Sequence, residues 1–173
     1  MDKTENVRRE ITRREAREQA FALIFEKSFH DYNINEIIDN AESNEIFIDE
    51  FAEIEAAGAY DHLAEIDEQI SANLKGGWNF SRISRVTKSI LRLAVYEMLF
   101  ADEIPVSVAI NEAVELAKKY GGDEDPSYIN GVLGAIARSL DIDDDLTIEA
   151  IENTETASEN AEVKNELAKD DGE

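Results

Sequence analysis

The sequence predicts an all-α fold, and three observations predict it. Apolar residues recur at spacings of three and four along most of the chain, and no segment alternates convincingly with period two. Turn-forming residues are scarce, with eight glycines and two prolines in 173 residues. A folded part of about 140 residues buries roughly two-thirds of its unfolded surface, so neither a metal nor a disulfide is needed to hold it. There are no cysteines, which removes disulfides, thiolate zinc sites and a cysteine nucleophile together.

The elements follow in order. Residues 13–29 read as an amphipathic helix with Ala16, Ala20, Phe21, Leu23 and Ile24 on its apolar side. Thr12 and Glu15 form a Thr-x-x-Glu capping box that sets its start at Arg13. "DYNIN" at 31–35 breaks the pattern, and 34–41 makes a short helix around Ile34, Ile37 and Ile38. From 46 to 74, Phe47, Phe51, Ile54, Leu63, Ile66, Ile70 and Leu74 keep helical spacing, with Gly58 the expected kink or break. "KGGW" at 75–78 is a connector and the candidate subdomain boundary. Residues 80–100 hold the strongest apolar stretch, "SILRLAVYEMLF", expected as a largely buried helix that "DEIP" ends. A further helix runs from about Val106 to Lys119 and stops at Gly121-Gly122. Asp125 then caps a last helix with Pro126 at its first position and Ile129, Val132, Leu133 and Ile136 facing inward.

Charge divides the chain more sharply than hydropathy does. The formal net charge is −23, yet residues 1–30 carry +1 and residues 77–140 carry −1. Residues 31–76 and 141–173 carry −12 and −11. The last segment lacks aromatics and has few large apolar residues, so its composition predicts a disordered acidic tail. Residues 1–11 read as a flexible arm, which leaves 12–140 as the folded domain. No apolar run approaches the ~20 residues of a membrane span, and "MDKTENVRRE" lacks the apolar core of a secretory signal. The expectation is a cytoplasmic protein without a membrane partner.

Sites for chemistry are not apparent. His30 and His62 are the two histidines, neither has a partner at ligand spacing, and both read as structural. No glycine-rich phosphate loop is present, and "DIDDD" at 141–145 lacks the glycine and terminal glutamate of a calcium loop. The expectation is a non-enzyme with no cofactor. What stands out is an arginine cluster in an acidic chain. Arg9, Arg13 and Arg17 step by four, with Arg14 alongside. One reading is a solvated face on which Arg14 pairs with Glu18, and Arg13 with Glu10 or Glu15. Against it, Arg13 and Arg14 occupy a first helical turn, where the helix dipole disfavours cations by a few tenths of a kcal/mol. The alternative is an anionic ligand, with phosphate the natural one.

"RREAREQAFALIF" (13–25), "ILRLAVYEMLF" (90–100), "PVSVAINEAVELAKKYG" (105–121) and "YINGVLGAIAR" (128–138) together resemble the NusB family of bacterial transcription antitermination factors. The resemblance spans roughly residues 12–139, in order and spacing. It implies two small helical bundles sharing one core, about seven helices in all, split near 12–75 and 78–140. It also implies binding of single-stranded boxA RNA of ribosomal RNA transcripts, together with the ribosomal protein NusE, within an RNA polymerase antitermination complex. By position, the family's arginine-rich motif implicates Arg13, Arg14 and Arg17, with Arg9 upstream. Tyr128 matches an aromatic suited to stacking on a base, or equally a tyrosine at the rim of the core. Glu124 lies in the adjoining loop, while Asn130 and Gly131 read as structural, the glycine allowing close helix packing. Two positions depart from the family pattern. Glu15 stands where a third basic residue is usual, and Thr87 where an acidic residue follows the matched valine, Val86. The alternative function is a helical adaptor that binds NusE with little RNA affinity of its own.

Overall fold

The computed structural model describes residues 11–74, 76 and 79–140. Arg9 and the 141–173 segment lie outside the described residues. Within them are seven α-helices: α1 (Arg13–Lys27), α2 (Ile34–Ser43), α3 (Glu50–Asp61), α4 (Leu63–Ala72), α5 (Arg85–Phe100), α6 (Val106–Tyr120) and α7 (Asp125–Ser139). A short 3-10 turn at Phe80–Arg82 precedes α5, and the described residues include no strand.

Local chemistry sets the helix starts. The Thr12 hydroxyl accepts from the Glu15 amide at 3.2 Å, and the Thr12 amide donates to the Glu15 carboxylate at 2.8 Å. The reciprocal bonds satisfy two amides that a helix N-terminus otherwise leaves open. Asn33 and Glu36 repeat the device at α2, with bonds of 2.9 and 2.8 Å. At α7 the expected register moves by one residue. Glu124 is the N-cap, without a side-chain cap bond, and Asp125 is already helical. Asp125 instead accepts from the Gly122 amide at 2.8 Å and so ties down the turn between α6 and α7.

Helix α5 is the hub of the core. It packs against α1, α3, α4, α6 and α7, and its Ile90, Leu91 and Val95 are fully buried. A helix apolar nearly all round has to be enclosed, and here five neighbours enclose it. The buried residues of both halves of the chain form one continuous apolar cluster, in which α6 and α7 make a hairpin across the four-residue turn 121–124.

Three structural expectations change. The break between α3 and α4 falls at His62, not Gly58, and His62 stacks on Phe100 with ring centroids 3.9 Å apart. Gly58 is mid-helix because the Tyr96 ring lies against it, where a β-carbon would overlap the ring. Ile54 and Phe47 are exposed. The inward face of α3 runs through Phe51, Ala52, Glu55, Ala56 and Ala59, so Ile54 is out of phase and a glutamate is in phase. Gly131 does not mediate close packing, since a β-carbon there meets nothing within 4 Å.

Gly58→Ala therefore tests the Tyr96 contact. Helix propensity alone favours the change by about 1 kcal/mol, whereas overpacking costs about 1–3 kcal/mol. A net loss of stability in denaturant unfolding is expected, partly recovered by Tyr96→Leu; a stabilised Gly58→Ala would show that the ring yields freely.

Candidate nucleic-acid interface

Position on α1 separates the arginines. Buried positions are 16, 17, 20, 21, 23 and 24, so Arg17 is turned into the core; Arg14 lies off that face, and Arg13 shares it but is exposed as the first residue of the helix. Arg17 is 6% exposed, its Nε donates to Glu97 Oε1 at 2.6 Å, and its Nη1 lies 3.6 Å from Glu112 Oε2. The expected surface stripe therefore loses Arg17, whose direction around the helix falls between those of the buried Ala20 and Phe21.

Arg14 stays exposed and is not paired with Glu18. Its Nε and Nη2 donate to Glu112 Oε2 and Oε1 at 3.0 and 2.6 Å, a fork-to-carboxylate pair that ties α1 to α6. Glu18 is held by Lys119 and by the Tyr120 hydroxyl from the last turn of α6. Arg13 lies over the Phe51 ring at 4.3 Å, a cation–π contact worth roughly 0.5–1 kcal/mol at an exposed site. Arg13, Arg14, Phe51, Pro105 and Val108 border a shallow cleft of about 440 Å³. Ligand recognition there would rest on two guanidinium groups and an adjacent aromatic ring.

These pairs fix the geometry of the whole face. Arg14 meets Glu112 and Glu18 meets Lys119, so long side chains bridge α1 and α6 with the two helices running in the same sense. The arginines lie beside the first half of α6, whereas Glu124 and Tyr128 lie just beyond its far end. From Glu112 to Gly121 is about 14 Å at 1.5 Å per residue, so the structure does not gather all the expected residues into one contact. Glu124 is exposed. Tyr128 is half-buried with its ring against the core, and burial followed by the charge of Asp125 pushes its hydroxyl pKa up. The span between the two groups is filled by Lys118, Lys119 and Tyr120, which the sequence reading passed over. The signal was a lysine pair in a last helical turn, where the dipole favours cations.

An apolar groove of about 770 Å³ adjoins this face, lined by Phe21, Ala22, Phe25, Val86 and Tyr120 among others. Three of its rings form an aromatic ladder, Tyr120 to Phe21 at 5.0 Å and Phe21 to Phe25 at 5.9 Å. Outside the groove the ladder continues from Phe25 to Phe29 at 5.0 Å, where the Arg85 guanidinium lies 4.4 Å from the Phe29 ring. Among the described residues no cluster of His, Cys, Asp or Glu could hold a metal, and no helix is long and apolar enough to cross a membrane.

Comparison with known proteins shows the family. The family model described as the NusB family matches residues 14–138. The chain belongs to the NusB family. It is 42% identical over 131 residues to the transcription antitermination protein NusB of Bacillus subtilis, covering 76% of this chain and 98% of that protein. The NusB of Lachnoclostridium phytofermentans is 43% identical over 131 residues, covering 73% and 98%. Among solved structures, NusB of T. maritima superposes with a TM-score of 0.65 at 35% identity, covering 75% of this chain and 92% of that one. A crystal structure of the antitermination factors NusB and NusE in complex with dsRNA matches with a TM-score of 0.65 at 28% identity, covering 73% and 96%.

Beneath the NusB face lies a buried ionic centre. Glu55 and Glu97 are each 1% exposed and share the field of one buried cation, Arg17. Burial, and then the charge of Glu97, push the Glu55 carboxyl up from its ordinary 4.5 to about 8. Burial also raises Glu97, and the Arg17 ion pair opposes it. The folded protein keeps the Glu55 proton where an unfolded chain has released it. The contribution to stability thus falls as pH rises from about 4.5 to about 8. Glu55→Gln should match wild type near pH 5 and exceed it above pH 8 in urea unfolding; equal pH slopes in the two proteins would refute a retained proton. Arg17→Met strands Glu97 without its partner and should cost about 3–5 kcal/mol. Adding Glu97→Leu should restore most of that loss in thermal melts.

Proposed function

We propose that this protein is a non-catalytic transcription antitermination factor of the cytoplasm. It binds boxA-type single-stranded RNA of ribosomal RNA transcripts together with NusE, within an RNA polymerase antitermination complex. The observation that carries this reading is the exposed Arg13–Arg14 pair in the first turn of α1, placed against the helix dipole and beside an aromatic ring. A family relative solved with NusE and dsRNA supports it. Arg13 and Arg14, with Arg9 upstream, contact phosphates and set position, while sequence choice falls to splayed bases. Tyr128 offers a stacking surface at the far end of α6, a contact worth ~1–3 kcal/mol per base, and Glu124 shapes that rim. The aromatic groove is the seat for NusE, since it is the apolar cleft that shares Glu18 and Lys119 with the cleft beside Arg14; the departing residue Thr87 is buried and does not line it.

A second reading draws on the same ion pairs. Arg14 is engaged by Glu112, Arg17 is buried and Glu15 serves the cap, so few cations stand free for RNA. That reading makes the protein a NusE adaptor whose RNA contact arises only in the complex.

Titration of a boxA oligonucleotide with and without NusE, for wild type and Arg14→Glu, separates the two. Three phosphate contacts predict a log–log salt slope of about −2 at ~0.7 per contact for single strands. The first reading expects that slope for the protein alone, and at least tenfold weaker binding by Arg14→Glu. Salt-independent binding would falsify the phosphate mechanism, and RNA binding seen only with NusE would favour the adaptor.

A further inference from the structure

Glu112 stands between two arginines of opposite character. It holds the exposed Arg14 through both carboxylate oxygens, at 3.0 and 2.6 Å, on the guanidinium edge formed by Nε and Nη2. That edge is also the one that matches two oxygens of a phosphate. On its other side, Glu112 Oε2 lies 3.6 Å from Nη1 of the buried Arg17, beyond hydrogen-bond distance. Arg17 is already fixed by Glu97, so its Nη1 side is a ready second berth for a displaced carboxylate. Solvent reaches Arg14, whose side chain is 64% exposed, far more readily than Glu112 at 15%. An arriving phosphate therefore meets the arginine with the carboxylate behind it.

We propose that Glu112 is an internal competitor for phosphate at Arg14: it occupies the guanidinium edge that RNA requires, and passes to Arg17 when RNA displaces it. This rests on the reading of Arg14 as a phosphate contact. The exchange trades one ion pair for another, so its net cost is small, and it tunes affinity without disturbing the fold. It also gives RNA a discriminating task, because only an anion that binds the fork better than a carboxylate displaces Glu112.

Glu115 supplies the control. It lies one turn further along α6, its charge is also felt at Arg14, and it is bonded to Lys118 at 2.7 Å rather than to Arg14. Removing it deletes the same charge without freeing the guanidinium. The test is boxA titration of the full chain across salt concentrations for Glu112→Gln, Glu112→Asp and Glu115→Gln, each alone and in an Arg14→Gln background. Glu112→Gln should tighten binding about two- to fivefold at low salt, the scale of an exposed ion pair. It should also steepen the salt slope by up to ~0.7, one single-strand phosphate contact. Glu112→Asp, too short to span the fork, should move both readings in the same direction, while Glu115→Gln leaves the slope unchanged. In the Arg14→Gln background Glu112→Gln should have no effect. Equal behaviour of Glu112→Gln and Glu115→Gln, or weaker binding by Glu112→Gln, overturns the competition and leaves the phosphate reading intact. Binding unaffected by Arg14→Gln in otherwise wild-type protein overturns both.

Discussion

Arg17 is the one buried cation among the described residues, and four helices are arranged around it. It rises from α1, hydrogen-bonds Glu97 of α5, faces Glu112 of α6 and opposes the rise in the pKa of Glu55 on α3. An ion withdrawn from water costs several kcal/mol unless it is well paired, so α1 and α5 cannot slide past each other without stranding a charge. A purely apolar core would tolerate small shifts between neighbours. This one specifies a register, and the positions of Arg13 and Arg14 on the surface follow from it.

The pairing is incomplete in a way that matters. Two buried carboxylates share a single guanidinium, and the balance is restored by a proton on Glu55 rather than by a second base. The side chain then behaves as a neutral polar group in the core, at a cost that grows with pH. Glu97 keeps the hydrogen bond to Arg17 and fixes its orientation. Buried core and exposed face are thus one chain of charges: Glu97 to Arg17, Arg17 toward Glu112, Glu112 to Arg14.

Much of the fold was legible because helix period is a local signal. The Thr12–Glu15 box, the inward faces of α1 and α2, and the stop at Gly121 all follow from neighbours in sequence. What escaped depends on residues far apart. Glu55 and Glu97 carry no sign in the sequence of the buried places they take when α3 and α5 are packed together, since nothing within one helix announces a charge on its buried side. The phase of α3 was obscured because alanines, not large residues, mark its inner face, leaving Ile54 as a false guide. The arginines show the same limit. Composition and dipole singled out the cluster, but which member lies inside is decided by α5 and α6. Glu112, ninety-eight residues from Arg14, carried no local sign of its role.

For a protein of net charge −23, binding a polyanion as proposed sets an electrostatic problem that has to be solved locally. Screening over a Debye length of about 8 Å at physiological salt removes most of the repulsion from distant acidic surfaces. It does little for carboxylates in direct contact with the arginines. Glu15 caps the helix, accepting from the Thr12 amide and hydroxyl. Glu112 sits between two arginines, and Arg17 is the buried one, 3.6 Å away. The same buried arginine that fixes the helix register therefore also bears on how strongly the exposed arginine is held, which is why the core and the arginine-bearing surface of this protein cannot vary independently.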